Sequence, residues 1–384
     1  MITRIEIDGF KSFRNFTLDV PPLLALVGPT AGGKSNLFDA LDYEAAARAG
    51  GFPLVESGRG RPHELVHRVA NGRPVDGFSI RVHRLVRVDE GFIDVVSVAG
   101  AGVDAGPFPA DRGHHLSWSG TDQDARFPQA VRDRLWRLAG TVGDGSTAPD
   151  TVLSTARRIV AAIGDGGILA PDPRAMRGPG WAADLRPLAR DGANLAAVLG
   201  RLRDSAAFDD LTADLTAVIP EVERVVPEFD DKRQEWFFDL IIDGQGPVPS
   251  TLLSAGTLRT LGLLTALHDP EHPGVVMIEE IETGLPPSRV AELLRRVQTR
   301  VSDLADADSL ERPLRQVIVT SHSPVVVAGL YGIRPDSLVV LNTAVSADDG
   351  RTSRVTVARP AREDGDGPGS YLGDCLDAVG RGIS

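Results

Sequence analysis

The N-terminal residues show apolar and polar patterns that predict three short strands. Ile5 and Ile7 alternate with charged residues, whereas residues 23–27 (LLALV) form an unbroken apolar run. Alternation is typical of a strand with one buried face, and a continuous apolar run fits a strand buried on both faces. The pattern breaks at the glycine-rich residues 28–35, and leucines and alanines at helical spacing follow over residues 36–49. This region therefore predicts strand, glycine-rich loop and helix in succession.

The remainder of the chain predicts an antiparallel hairpin, a helical middle and then alternating strands and helices. The hairpin covers residues 78–88 and 91–98, helical periodicity covers residues 126–164 and 185–215, and an edge strand is expected within residues 346–370. The alternating part contains strands at 237–243, 275–278, 317–320 and 338–341 and helices at 258–267 and 288–301. Such alternation predicts an α/β sheet with helices packed on it.

The glycine-rich loop has the residues needed to bind phosphate. Its sequence, GPTAGGKS, fits G-x-x-x-x-G-K-[ST], and it lies after an apolar strand and before a helix, as that motif requires. Glycines let backbone N–H groups converge on phosphates, Lys34 reaches the β- and γ-phosphates, and Ser35 can ligate Mg²⁺. The alternative, a chance glycine-rich turn, does not explain this context.

Two adjacent carboxylates, Glu279 and Glu280, follow the apolar strand at residues 275–278. Adjacent residues at a strand end point to opposite faces, so one carboxylate can hold Mg²⁺ while the other polarises the attacking water. Standing alone, the pair would equally fit a solvated turn.

Two further motifs are weaker. Ser254, Ala255, Gly256 and Thr257 open a predicted helix, where an anion can bind or a hydroxyl can simply cap the helix. His322 follows the strand at residues 317–320 and is flanked by hydroxyls, a setting that also suits a structural histidine.

The order and spacing of these motifs resemble the ABC-type ATPases, in particular the soluble RecF-like and SMC-like branch and the AAA family ATPases of prokaryotic genomes. The similar segments are IEIDGFKSF at residues 5–13, GPTAGGKSN at 28–36, DPR at 172–174, DGANL at 191–195, LSAGTLR at 253–259, IEEIETGL at 278–285 and TSHSP at 320–324. They extend over nearly the whole chain.

The resemblance implies an α/β P-loop NTPase fold, the ABC-ATPase head, with an antiparallel β subdomain and an inserted α-helical subdomain. It implies ATP and Mg²⁺ as cofactors and an ATP-dependent homodimer in which the signature of one chain faces the phosphates held by the other. Glu280 would be the general base, His322 the γ-phosphate sensor, Ser35 and Glu279 the metal-associated residues, and Glu282 the start of the D-loop. The implied nucleotide-binding residues are Gly28, Pro29, Thr30, Ala31, Gly32, Gly33, Lys34, Ser35 and Asn36. The implied signature residues, acting in trans, are Ser254, Ala255, Gly256 and Thr257.

The predicted organisation has four parts. Residues 1–50 and 236–384 form the two halves of the ATPase head, residues 51–112 form the antiparallel β subdomain, and residues 113–235 form the mainly helical insert. This insert is too short and too interrupted by glycine and proline to be a long SMC coiled-coil arm.

Composition and charge bear on the partners and the location of the protein. The 41 basic and 53 acidic residues give a net charge of −12, so DNA could bind only at a local basic patch, for which residues 81–87 (RVHRLVR) are a candidate. A single cysteine, no signal peptide and no apolar run of membrane-spanning length predict a cytoplasmic protein without a membrane partner. We expect a DNA-associated ATPase of repair, recombination or phage defence, or alternatively a nucleotide-gated switch that controls a separate effector protein with little dependence on DNA. A transporter ATPase is a third and weaker hypothesis.

Overall fold

The computed structural model describes residues 1–48, 64–88, 91–102, 115–119, 127–134, 168–272, 274–348 and 351–360. Within these ranges the chain forms fifteen strands and seven α-helices. The strands are β1 (Ile2–Asp8), β2 (Phe16–Asp19), β3 (Leu23–Val27), β4 (Gly77–Val88), β5 (Gly91–Gly102), β6 (His115–Ser119), β7 (Ile168–Leu169), β8 (Gly180–Trp181), β9 (Val222–Asp230), β10 (Glu235–Ile242), β11 (Gly246–Pro249), β12 (Val275–Ile278), β13 (Gln316–Ser321), β14 (Leu338–Asp348) and β15 (Arg351–Pro360). The helices are α1 (Lys34–Arg48), α2 (Gln129–Arg132), α3 (Leu195–Leu202), α4 (Ala206–Val218), α5 (Ala255–His268), α6 (Pro287–Arg300) and α7 (Pro324–Tyr331).

A six-stranded sheet in the order β15-β14-β3-β13-β12-β7 carries the candidate site. All its neighbouring pairs are parallel except β14 with β15, which is antiparallel. Every residue of β3 is buried, as the apolar run LLALV predicts for a strand covered on both faces. Since parallel strands end at the same edge of a sheet, the loops after β3, β12 and β13 converge there.

The predicted hairpin is confirmed and belongs to a second, antiparallel sheet in the order β2-β1-β4-β5-β6. β4 and β5 pair along their full length, from Gly77 opposite Gly102 to Val88 opposite Gly91. Helix α1 is tied to this sheet by a buried cluster, because Glu44 on α1 accepts hydrogen bonds from Arg84 on β4 and from Ser97 on β5. The helix that follows the phosphate loop is therefore anchored between the two sheets.

The helical prediction for residues 185–215 is confirmed from residue 195 onward, whereas residues 185–194 contain no helix. The helical part is divided into α3 and α4, because the hydroxyl of Ser205 accepts a hydrogen bond from the N–H of Phe208 and starts a new helix. Both helices contribute to a core shared with α5, α6 and the third sheet, in which β10 pairs with β8, β9 and β11. Of the periodic region at 126–164 the structure describes only residues 127–134, which contain α2, and the prediction for the other residues lies outside the described ranges.

The C-terminal strands are longer than the pattern predicts. The strand expected at residues 338–341 continues to Asp348 as β14, and β15 pairs with it along ten residues as the expected edge strand. In the described part of the chain, no helix combines the length and the apolar character needed to cross a bilayer. The four-part division of the chain remains a prediction.

Candidate nucleotide-binding site

The phosphate loop lies between β3 and α1, at the edge where the parallel strands end. Two of its glycines are required by their surroundings. Gly28 has φ of 142°, and a Cβ there would lie 2.2 Å from the carbonyl oxygen of Leu341 on β14. Gly33 has φ of 102°, and a Cβ there would lie 2.1 Å from Oγ1 of Thr356 on β15. The hairpin of β14 and β15 thus packs directly against the loop, and side chains at these positions would push the loop away.

Thr356 also connects the loop to the FKSF segment near the N-terminus. Its Oγ1 donates to Oγ of Ser12 at 2.8 Å, and the side-chain amide of Asn36 donates to the same oxygen at 2.9 Å. Sequence reasoning missed Thr356, because it stands 344 residues from Ser12 and no local pattern marks it.

Lys34 is a buried residue at the end of the phosphate loop. It is only 5% exposed, and its Nζ donates to the carbonyl oxygens of Gly28 at 2.8 Å and Pro29 at 3.0 Å. Burial lowers the pKa of Lys34 to about 8, although the charges of Glu280 and Glu282 favour its protonated form. A partly desolvated ammonium among loop carbonyls suits an anionic ligand, which would replace these weak acceptors with charged ones.

His322 lies beside this lysine. It follows β13, and its Nδ1 is 3.4 Å from Nζ of Lys34. Sequence reasoning placed the two residues in separate motifs 288 positions apart, and the adjacent ends of β3 and β13 bring them together.

Neither of the two carboxylates belongs to the strand. β12 ends at Ile278, so the expected alternation of faces does not apply, and Glu280 adopts a left-handed conformation with φ of 50°. The N–H of Glu280 donates to Oγ1 of Thr320 at 3.0 Å, and Oγ1 of Thr283 donates to its carboxylate at 3.2 Å. Both Glu279 and Glu280 are exposed, and both border a cavity of ≈190 Å³. They are therefore accessible to solvent beyond the end of β12.

The residues present fit Mg²⁺ bound together with phosphates. Ser35 is exposed in the first turn of α1, and Glu279 is exposed at the end of β12, so each offers an oxygen ligand at this edge. Mg²⁺ is typically held by one or two such protein oxygens together with substrate phosphates. The described residues contain no group of three or more His, Cys, Asp or Glu side chains that could hold a metal ion.

The predicted signature residues begin α5. Ser254 acts as a helix N-cap, since its Oγ accepts from the N–H of Thr257 at 3.1 Å and lies 2.8 Å from Oγ1 of Thr257. Ser254 and Ala255 are exposed, whereas Gly256 is buried. A Cβ at Gly256 would lie 2.0 Å from the carbonyl oxygen of Gly284, so this turn packs on the loop that follows Glu280. Across the described residues, no hydrogen bond connects this turn with the phosphate loop of the same chain.

Comparison with known proteins bears on part of the sequence and on the fold. Residues 172–328 match the family described as "AAA domain, putative AbiEii toxin, Type IV TA system". The structure is similar to an Smc head bound to the C-winged helix domain of ScpA, with 16% identity, a TM-score of 0.54, and coverage of 93% of this chain and 97% of that one. It is also similar to the Smc head domain with a coiled coil and joint from Pyrococcus yayanosii, with 11% identity, a TM-score of 0.53, and coverage of 100% of this chain and 99% of that one.

The chain has the fold of the Smc head domains. No curated protein is significantly similar to it in sequence. The family match includes the signature turn, both carboxylates and His322, whereas the phosphate loop lies before it. The expected fold of the head is thereby confirmed.

Proposed function

We propose that this head is a Mg²⁺-dependent ATPase that closes as a homodimer around ATP. The observation that supports it best is the convergence at one sheet edge of the buried Lys34, the His322 ring 3.4 Å from it, and Glu280, which is held by Thr320. Phosphoryl transfer needs charge stabilisation and an oriented nucleophile, and these three residue types supply both.

Each residue has one task in this proposal. Lys34 and the backbone N–H groups of residue 28 and residues 30–36 would bind the phosphates, and Ser35 and Glu279 would hold Mg²⁺, which would supply neutralisation of phosphate charge. Glu280 accepts the proton of the attacking water, and Thr283 orients its carboxylate through the 3.2 Å hydrogen bond. His322 contacts the γ-phosphate from the side of β13.

The exposed signature turn supports closure between two copies. Ser254 and Ala255 face solvent at the N-terminus of a 14-residue helix, where the helix dipole favours an anion. Since this turn makes no hydrogen bond to the phosphate loop of its own chain within the described residues, we propose that it engages nucleotide held by the other copy.

Glu280→Gln tests the enzyme and the dimer together. We expect the wild type to turn over ATP with Mg²⁺, and the variant to lose turnover while retaining ATP and doubling its mass by light scattering. Glu223→Ala, which removes an exposed carboxylate on β9, is the matched control. If Glu280→Gln hydrolyses ATP at the wild-type rate, Glu280 is not the general base. If it stays monomeric with ATP bound, closure between copies is excluded.

For the biological role we propose two candidates, both in the cytoplasm. The first is a DNA-associated ATPase of repair, recombination or phage defence. The candidate basic stripe does lie along β4, but Arg81 donates to Glu6 at 3.0 Å and Arg87 lies 3.5 Å from Glu311, so carboxylates offset its charge. Turnover that rises on addition of double-stranded DNA would support this role, and turnover that does not change would exclude it.

The second candidate is a nucleotide-gated switch for a separate effector protein. The description of the matching family names a toxin and a toxin–antitoxin system, and this setting is the reason for proposing a separate effector. Co-purification of a partner encoded nearby, with release dependent on ATP, is the expected result. Binding that is the same with ATP, with ADP and without nucleotide would exclude the gate.

A further inference from the structure

The loop that carries the general base is joined to the end of β13 at three consecutive residues. The N–H of Glu280 donates to Oγ1 of Thr320, and the N–H of Ile281 donates to the carbonyl oxygen of Thr320 at 3.3 Å. Glu282 completes the junction with its side chain. This places Glu282 between the general base on one strand end and His322 on the next.

A single carboxylate oxygen of Glu282 makes two contacts there. Oε1 accepts from Oγ of Ser321 at 2.9 Å and from the backbone N–H of His322 at 2.8 Å. Ser321 itself accepts from the N–H of Ser323 at 2.9 Å, and Oγ of Ser323 caps α7. Charge-assisted hydrogen bonds of this kind are stronger than neutral ones, so Glu282 fixes the turn from which the His322 ring projects.

The other carboxylate oxygen of Glu282 has a different environment. Oε2 is buried and has no hydrogen-bond partner among the residues that the structure describes. A buried carboxylate oxygen left unpaired is costly, and a purely structural cap would not require it. The negative charge of Glu282 acts on the Lys34 ammonium, the group that lies 3.4 Å from His322. Glu282 therefore contacts the backbone of His322 and interacts electrostatically with the lysine beside its ring.

We propose that Glu282 is a positioning residue that holds the His322 ring in place beside Lys34 and in register with Glu280. The proposal rests on the ATPase function proposed above. Glu282 touches neither the nucleotide nor the water in this scheme, and it acts through the backbone of His322. Motion of the loop after β12 is thereby transmitted to His322.

A double-mutant cycle tests this role. Glu282→Ala removes the acceptor, and since small misplacements of a catalytic group can cost about 100-fold, we expect kcat to fall by up to about that factor. In a His322→Ala background the same substitution should have almost no further effect on kcat, because Glu282 acts through the His322 ring and that ring is already absent. Glu282→Gln keeps an acceptor oxygen and should retain more activity than Glu282→Ala. The proposal is overturned if the losses of kcat in the two single mutants multiply in the double mutant. It is also overturned if Glu282→Ala has the kcat of the wild type.

A second measurement does not depend on hydrolysis. The Cε1–H proton resonance of His322, identified by its disappearance in His322→Ala, should move in nucleotide-free Glu282→Ala and stay in place in the control Glu223→Ala. If Glu282→Ala does not fold, Glu282→Gln takes its place, and a smaller movement is expected. If the wild type shows no ATP turnover, the proposed function fails, and the His322 resonance still decides this inference. An unmoved resonance in every folded Glu282 variant would refute it.

Discussion

The pKa of Lys34 predicts that ATP affinity depends on pH in an unusual range. In the free chain this pKa is about 8, because burial disfavours the ammonium. Bound phosphates favour the ammonium, so above pH 8 binding must include uptake of a proton. Well above pH 8 the apparent affinity should fall about tenfold per pH unit. Between pH 7 and pH 9, an interval centred on the pKa, the total decrease should be about tenfold, which corresponds to about 1.4 kcal/mol.

The assay is equilibrium titration with a fluorescent ATP analogue at pH 7, 8 and 9 and constant ionic strength. Lys34→Arg is the matched control, because its guanidinium stays charged throughout this range and should give no such dependence. Lys34→Met should bind weakly and equally at each pH. An affinity of the wild type that is constant from pH 7 to pH 9, or the same decline in Lys34→Arg, would refute the assignment to Lys34.

Two further predictions concern stability. Glu44→Ala removes the carboxylate that pairs with the buried Arg84 and with Arg48, and we expect the free energy of unfolding in urea to fall by about 3–5 kcal/mol. Replacing Glu44 and Arg84 together by Met should recover only part of this loss, because Arg48 then lacks the carboxylate 3.5 Å from its guanidinium, and a loss below about 1 kcal/mol in Glu44→Ala would contradict the buried cluster. For His272, burial and then the charge of Arg315 lower the pKa to about 4, and its Nδ1 accepts from the N–H of Gly274 at 3.4 Å. Because the unfolded imidazole titrates near its ordinary value of 6.5, the unfolded chain binds more protons between pH 6.5 and pH 4, and stability should decrease over that interval by at most about 3 kcal/mol. His272→Asn should remove this decrease in unfolding curves measured at each pH, and its persistence in the variant would assign it to other groups.

The local parts of the site follow from the sequence because their causes are local. An apolar run predicts β3, the glycine and lysine pattern predicts the phosphate loop before α1, and a hydroxyl before a helical pattern predicts the Ser254 cap. Each depends on residues within a few positions of one another, where backbone conformation and helix capping are decided. The α/β fold of the head was also predictable, because strands and helices alternate at regular spacing.

Other features were decided by the tertiary structure. The position of Glu280 just beyond β12 depends on where pairing with β13 stops, which the apolar pattern does not mark.

The contacts that complete the site join residues distant in sequence. Thr356 packs against Gly33, Glu282 binds the turn at His322, and Lys34 lies beside that histidine. No periodicity records such pairs, because hydrogen bonds between strand ends depend on strand order and register in the sheet. The sequence by itself therefore determined which residues could bind a nucleotide, and the order of the strands decided which of them meet, because parallel strands bring the ends of remote segments to one edge.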